Sequence, residues 1–163
     1  MTCVVFKSPK MPAKTFLHQP VLTVAEIERF LDEEFPQLHH GGRTFSVENV
    51  RPMSAQLRMA AHEKHLRPGG TVSGPAMFTL ADVGLYVVIL AHIGPVALAV
   101  TTNLNINFLR KPPKGDLIAN CRLLKLGKRL AVGEATLFAE NSDEPVAHAV
   151  GTYSIPAPHK TVS

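Results

Sequence analysis

Ala76-Met-Phe-Thr-Leu-Ala-Asp-Val-Gly-Leu-Tyr-Val-Val-Ile-Leu-Ala91 decides the fold. Nearly every side chain in it is apolar, and a helix that is hydrophobic all round is a buried one. The stretch therefore predicts a central helix that the rest of the chain encloses. It is shorter than the roughly 20 residues a bilayer span needs, and Gly94-Pro95 breaks the chain before the next apolar run, so no membrane span is expected. Asp82 is its single acid. A carboxylate in such surroundings is costly unless it is paired or hydrogen-bonded. Asp82 is thus either a catalytic acid or a buried acid satisfied at a subunit interface.

Immediately before the helix lies Arg67-Pro-Gly-Gly-Thr-Val-Ser-Gly-Pro75, a glycine-rich loop. Free N–H groups and the helix dipole favour negative charge at such a helix start. Pro75 suits the first helical turn, where its missing N–H has no partner to lose. Ser73 is a helix cap or a catalytic residue. Arg67 is a surface residue or a grip for phosphate.

After the helix the period changes from helical to two. In Val96–Arg110 the residues Val96, Leu98, Val100, Thr102, Leu104, Ile106 and Phe108 alternate with Ala97, Ala99, Thr101, Asn103, Asn105 and Asn107, which predicts a strand. Three more strands are expected over Asp116–Lys125, Leu130–Glu140 and Val146–Ile155. The last two carry Ala131, Gly133, Ala135, Ala139, Ala147, Ala149 and Gly151 at odd positions. Small residues on one sheet face allow a close approach, and the apolar helix is the element to make it. Gly84 either permits that packing or opens room for a ligand. His92, near the helix C-terminus, is a dipole-compensating end residue or a base.

Upstream, Thr23-Val-Ala-Glu26 is a capping box, followed by Val24, Ile27, Phe30, Leu31 and Phe35 at helical spacing until Pro36. Phe45–Val50 and Gln56–His62 read as strands joined near Pro52. Residues 1–20 form a polar arm, and 21–163 one domain of α+β class: a curved antiparallel sheet around a long central helix.

Composition narrows the function. The chain has 163 residues, a formal net charge of +4 and no tryptophan. That mild basic bias fits anionic ligands, and no basic and aromatic residues interleave as nucleic-acid binding would require. Charged residues make up 18%, below the usual share of about a quarter, which is consistent with a surface covered by a partner subunit. Cys3 and Cys121 have no metal or redox spacing, and His39 and His40 have no third ligand nearby, so no metal is expected. Without a signal-peptide pattern, a cytoplasmic location follows.

These residues resemble the hotdog-fold acyl-CoA thioesterases, specifically the phenylacetic-acid-degradation thioesterase group. The resemblance covers roughly residues 45–155. It is carried by Arg67–Pro75 with Asp82 seven residues on, by Leu104-Asn-Ile-Asn-Phe-Leu-Arg-Lys-Pro112, by Gly127-Lys-Arg129, and by Val146-Ala-His-Ala-Val-Gly-Thr-Tyr153. It implies Asp82 as the catalytic acid, the Gly74 N–H as the group polarising the thioester carbonyl, and Thr101 as the residue orienting water. A strand threonine chosen for β-propensity is the other reading of Thr101. Ser73 stands where the family has histidine, Arg67 where it has the asparagine that the resemblance would have face the substrate carbonyl, and Pro75 replaces a glycine.

The implied reaction is hydrolysis of an acyl-CoA, with coenzyme A entering as part of the substrate and no resident cofactor. Arg110, Lys111, Lys128 and Arg129 sit beside turns and are either a basic rim for its phosphates or ordinary solvated residues. Eight residues of helix separate Gly74 from Asp82 by about 12 Å. One carbonyl must lie within about 3 Å of both a donor and a base, so a site using both needs two chains. A homodimer or tetramer is therefore expected. The rival readings are a non-catalytic acyl-CoA-binding or regulatory module and, more weakly, a hydratase.

Overall fold

The computed structural model describes residues 18–39 and 41–157. Most of the arm assigned to residues 1–20, together with Cys3 and His40, lies outside the described residues. Helix α1 (Val24–Glu34) begins with the expected capping box: Thr23 Oγ1 accepts from the Glu26 N–H, and the Glu26 carboxylate accepts from the Thr23 N–H at 2.8 Å. It buries Ile27 and Leu31. A 3-10 turn over Pro36–His39 leads to strands β1 (Phe45–Arg51) and β2 (Ser54–Met59). These form a hairpin whose turn holds Met53 at φ 57°.

The loop before the central helix is itself a small hairpin, β3 (Leu66–Arg67) with β4 (Thr71–Val72). Gly69 and Gly70 turn it at φ 96° and 72°, values that favour glycine. Helix α2 (Gly74–Ile93) follows, then β5 (Val100–Phe108), β6 (Leu117–Leu126), β7 (Leu130–Ala139) and β8 (Pro145–Ser154). One six-stranded antiparallel sheet has the order β1-β2-β6-β7-β8-β5, and α2 packs against its concave face. This is the hotdog fold that the resemblance implies.

At 20 residues, with an 18-residue window of mean hydropathy 1.9, α2 is long and apolar enough to cross a bilayer. The length argument from the sequence therefore does not hold. Enclosure decides instead, because 78% of its most apolar 18-residue window is buried inside the protein.

The small residues sit where expected. Gly133 and Gly151 face each other across β7 and β8, and the Leu85 side chain fills the space above them. A Cβ on Gly133 would lie 2.8 Å from Leu85 Cδ2, and one on Gly151 would lie 2.7 Å from Leu85 Cδ1. Gly84 serves packing, since its Cβ would meet Cys121 Sγ at 2.5 Å. Burial pushes the Cys121 thiol up to about 12, leaving it protonated and unreactive at neutral pH.

His92 departs from expectation. It is 7% exposed, its Nε2 accepts from the Met53 N–H at 2.9 Å, and its Nδ1 lies 2.7 Å from the Val88 carbonyl. That pairing requires neutral imidazole with the proton on Nδ1. Burial lowers its proton affinity further. The residue ties the end of α2 to the β1–β2 turn and is not a dipole-compensating cation.

Strand β5 also differs. It begins at Val100, because Gly94–Ala99 form turns in which the Val96 N–H reaches the Gly94 carbonyl and the Ala99 N–H the Val96 carbonyl. Thr101 pairs with Tyr153 but Asn103 pairs with Thr152, so Thr102 is an extra residue in a bulge. A bulge reverses the alternation of faces. Thr101 therefore shares the helix-facing side with Leu104, which simple period-two counting denied.

Candidate active site

Asp82 stands on the third turn of α2, facing the end of the sheet where β5 starts and β8 finishes. Thr101 Oγ1 donates to Asp82 Oδ1 at 2.7 Å. The Tyr153 hydroxyl lies 2.6 Å from Oδ1 and 2.7 Å from the Asp82 carbonyl oxygen. Both side-chain donors thus converge on Oδ1, and among the described residues none engages Oδ2. Tyr153 is 2% exposed. Burial and the adjacent Asp82 carboxylate raise its proton affinity well above that of an ordinary phenol, so it remains a donor. Tyr86 stacks on it with ring centroids 6.5 Å apart.

This group opens on a cavity of about 410 Å³, walled by Phe35, Asp82, Val83, Tyr86, Val100 and Thr101 among others. Such a volume suits a small organic ligand.

Gly74 is the first residue of α2, where an N–H has no acceptor within the helix. Ser73 caps that end, its Oγ accepting from the Ala76 N–H at 3.4 Å, as the capping reading of Ser73 requires. Gly74 lines a second cavity, again about 410 Å³, with Arg67, Phe108, Arg110 and Lys111. The Phe108 ring lies over it, 3.3 Å from where a Cβ would stand. Arg67 Nε donates to Thr71 Oγ1 at 2.8 Å, and Arg110 pairs with Glu144 at 3.0 Å.

Within one chain the expected residues thus fall into two groups. Asp82 and Thr101 meet, joined by Tyr153; Gly74 meets Arg67, Arg110 and Lys111. The basic rim divides as well. Arg110 and Lys111 follow the Phe108 end of β5, whereas Lys128 and Arg129 lie in the β6–β7 turn, and the neighbouring Leu130 pairs with Ser154 at the sheet's other end. Lys128 lines a separate apolar cavity of about 500 Å³. Sequence reasoning missed Tyr153 as Asp82's partner, although it is the one hydroxyl among the odd-numbered, helix-facing residues of β8.

A model of the thioesterase superfamily matches residues 69–146. A candidate esterase from Saccharolobus solfataricus is 31% identical over 137 residues, spanning 83% of this chain and 87% of its own. The chain belongs to the thioesterase superfamily. A candidate thioesterase from Silicibacter sp. TM1040 has a crystal structure that matches with a TM-score of 0.78 and 48% identity, over 86% of this chain and 96% of that one. A phenylacetic acid degradation-related thioesterase candidate from Ralstonia eutropha JMP134 matches at TM-score 0.63 and 25% identity, covering 68% and 84%. A Streptococcus mutans UA159 protein crystallised with acetyl-CoA shares the fold at TM-score 0.63 and 23% identity, over 72% and 93%. The superfamily match takes in Gly74, Asp82 and Thr101 and ends before Tyr153.

Proposed function

We propose that the protein hydrolyses the thioester bond of an acyl-CoA, releasing free acid and coenzyme A, at sites completed by a second copy of the chain. The observation that carries this reading is the way Asp82 is held: Oδ1 takes two donors and Oδ2 has none among the described residues, on the wall of a ligand-sized cavity. An oriented carboxylate of this kind acts on a carbonyl in one of two ways. As a base, Oδ2 takes a proton from water while the water oxygen adds to the carbonyl carbon. As a nucleophile, Oδ2 adds directly, and water later cleaves the mixed anhydride. Either way the C–S bond breaks and the thiolate leaves to be protonated as coenzyme A. The acetyl-CoA bound by the Streptococcus mutans relative supports this substrate class.

The second chain supplies the oxyanion donor. β5 is an edge of the sheet, and an edge offers unpaired backbone groups to another strand. Antiparallel pairing of two β5 strands would place the Val100 end of one beside the Phe108 end of the other. The Asp82 cavity, which includes Val100 and Thr101, would then meet the partner's Gly74 cavity, which includes Phe108. The same pairing would reunite Lys128 and Arg129 of one chain with Arg110 and Lys111 of the other around the coenzyme A phosphates. Neither a metal nor a resident cofactor is needed, and a cytoplasmic homodimer or tetramer is the form we assign.

The test is release of free thiol from a panel of short, long and aromatic acyl-CoAs. Turnover that Asp82→Asn abolishes while coenzyme A binding persists supports the reading. Binding without turnover across the panel would replace it with an acyl-CoA-binding module.

A further inference from the structure

We propose that Phe35 sets the acyl-chain length this site accepts, acting as a removable wall across a groove that runs along α2 from Asp82. The inference rests on the acyl-CoA reading above and names the part of the substrate the groove would take, a linear alkyl chain.

Phe35 ends α1, its N–H bonded to the Leu31 carbonyl and its φ and ψ at −136° and 51°. Pro36 stops the helix there, which throws the ring toward α2. The ring is 39% exposed, and it forms part of two cavities at once. One is the Asp82 cavity of about 410 Å³. The other is a cavity of about 230 Å³ whose walls include Leu38, Phe45, Met59, Ala76 and Thr79.

On α2 the two cavities are consecutive. Ala76 and Thr79 belong to the smaller one, then Asp82, Val83 and Tyr86 to the larger. Spacings of three and four residues keep these positions on one helix face, so the cavities are segments of one groove with Phe35 between them. From Asp82 back to Ala76 the helix rises about 9 Å. An acyl group whose carbonyl sits at Asp82 Oδ2 has the larger cavity to itself, and a longer chain directed toward the α2 N-terminus meets the Phe35 ring. Beyond the ring, Leu38 and Phe45 contribute alkyl and aromatic surface, Met59 being fully buried, and Lys64 and His65 share the same wall.

Full-length wild type, Phe35→Ala and Phe35→Trp are compared in two assays across one chain-length series. The first is binding of S-alkyl-coenzyme A thioethers, which cannot be hydrolysed; the second is kcat/KM for the matching acyl-CoAs. Each methylene that finds a buried place adds about fourfold to affinity. In wild type that increment should stop at a short chain, in Phe35→Ala it should continue for several more methylenes, and in Phe35→Trp it should stop earlier. Thermal unfolding of each variant verifies that it is folded. Identical chain-length profiles in all three proteins, or no thioether binding to any, would overturn the inference. Length-dependent binding that shifts with residue 35 but no thiol release would leave the gate standing and remove only the hydrolytic reading.

Discussion

The Tyr153 hydroxyl lies 2.6 Å from Asp82 Oδ1, beside the stacked ring of Tyr86 and almost fully buried. A hydrogen bond to a charged group contributes about 1.5–3 kcal/mol, and this one helps fix which carboxylate oxygen is left without a donor among the described residues. Tyr153→Phe keeps the ring and removes the donor. It should lower kcat by roughly 10- to 100-fold, the rate equivalent of that energy, while KM changes little. An unchanged kcat would show that Thr101 alone suffices to hold Asp82.

Gly84 and Cys121 should couple in a measurable way. A methyl at position 84 meets Cys121 Sγ at 2.5 Å, whereas its next neighbour, Ala119 Cβ, is at an ordinary 3.7 Å. Glycine to alanine inside a helix is otherwise favourable by about 1 kcal/mol, and overpacking costs about 1–3 kcal/mol. Gly84→Ala should therefore destabilise the wild-type protein but become neutral or stabilising in a Cys121→Ala background. Denaturant unfolding of the four proteins in the cycle reads the change of sign.

The contrast between these two sites shows what a linear sequence discloses. The central helix, the small-residue face of β7 and β8, and the isolation of Asp82 follow from periodicity and composition, which act over a few neighbouring residues. The partner of Asp82 does not, because Tyr153 is 71 residues away and only the sheet register brings them together. Family resemblance points to Thr101, yet its facing depends on the single extra residue Thr102, and a bulge leaves no mark in an alternating pattern. The basic rim divides within one chain for a similar reason: turns that follow different strands can lie at opposite ends of a sheet.

His92 should make part of the stability depend on pH. Burial, which outweighs the opposing hydrogen bond to the Val88 carbonyl, lowers its pKa from the ordinary 6.5, so the unfolded chain binds this proton more tightly than the folded one. The sign follows from linkage. The contribution is fully present above pH 6.5, the unfolded value, and is lost as pH falls through the lower folded value. His65 is shifted in the same direction, chiefly by burial, so the measurement must be a difference. The unfolding free energy of wild type minus that of His92→Ala should shrink as pH falls below about 6.5. A difference independent of pH would mean that His92 contributes by packing alone.

A site shared between chains makes a prediction that a site within one chain cannot. Gly74→Pro removes the N–H proposed to polarise the carbonyl. Proline is tolerated at the first helical position, and Ser73 already has the extended backbone, φ −77° and ψ 155°, that a residue before proline requires. The new proline would itself precede Pro75, whose ring disfavours a helical residue before it, so thermal unfolding first verifies that the variant is folded. The added ring atoms press on Phe108, a half-exposed side chain free to yield. Asp82→Asn removes the carboxylate and leaves Gly74 intact. Each variant alone should be inactive. After subunit exchange between equal amounts, half the dimers carry one of each chain, and in those one of the two sites regains both native groups. Activity should therefore return to about a quarter of the wild-type value. If Gly74 and Asp82 served the same carbonyl from within one chain, every site in the mixture would still lack one of them, and no mixing ratio would restore turnover.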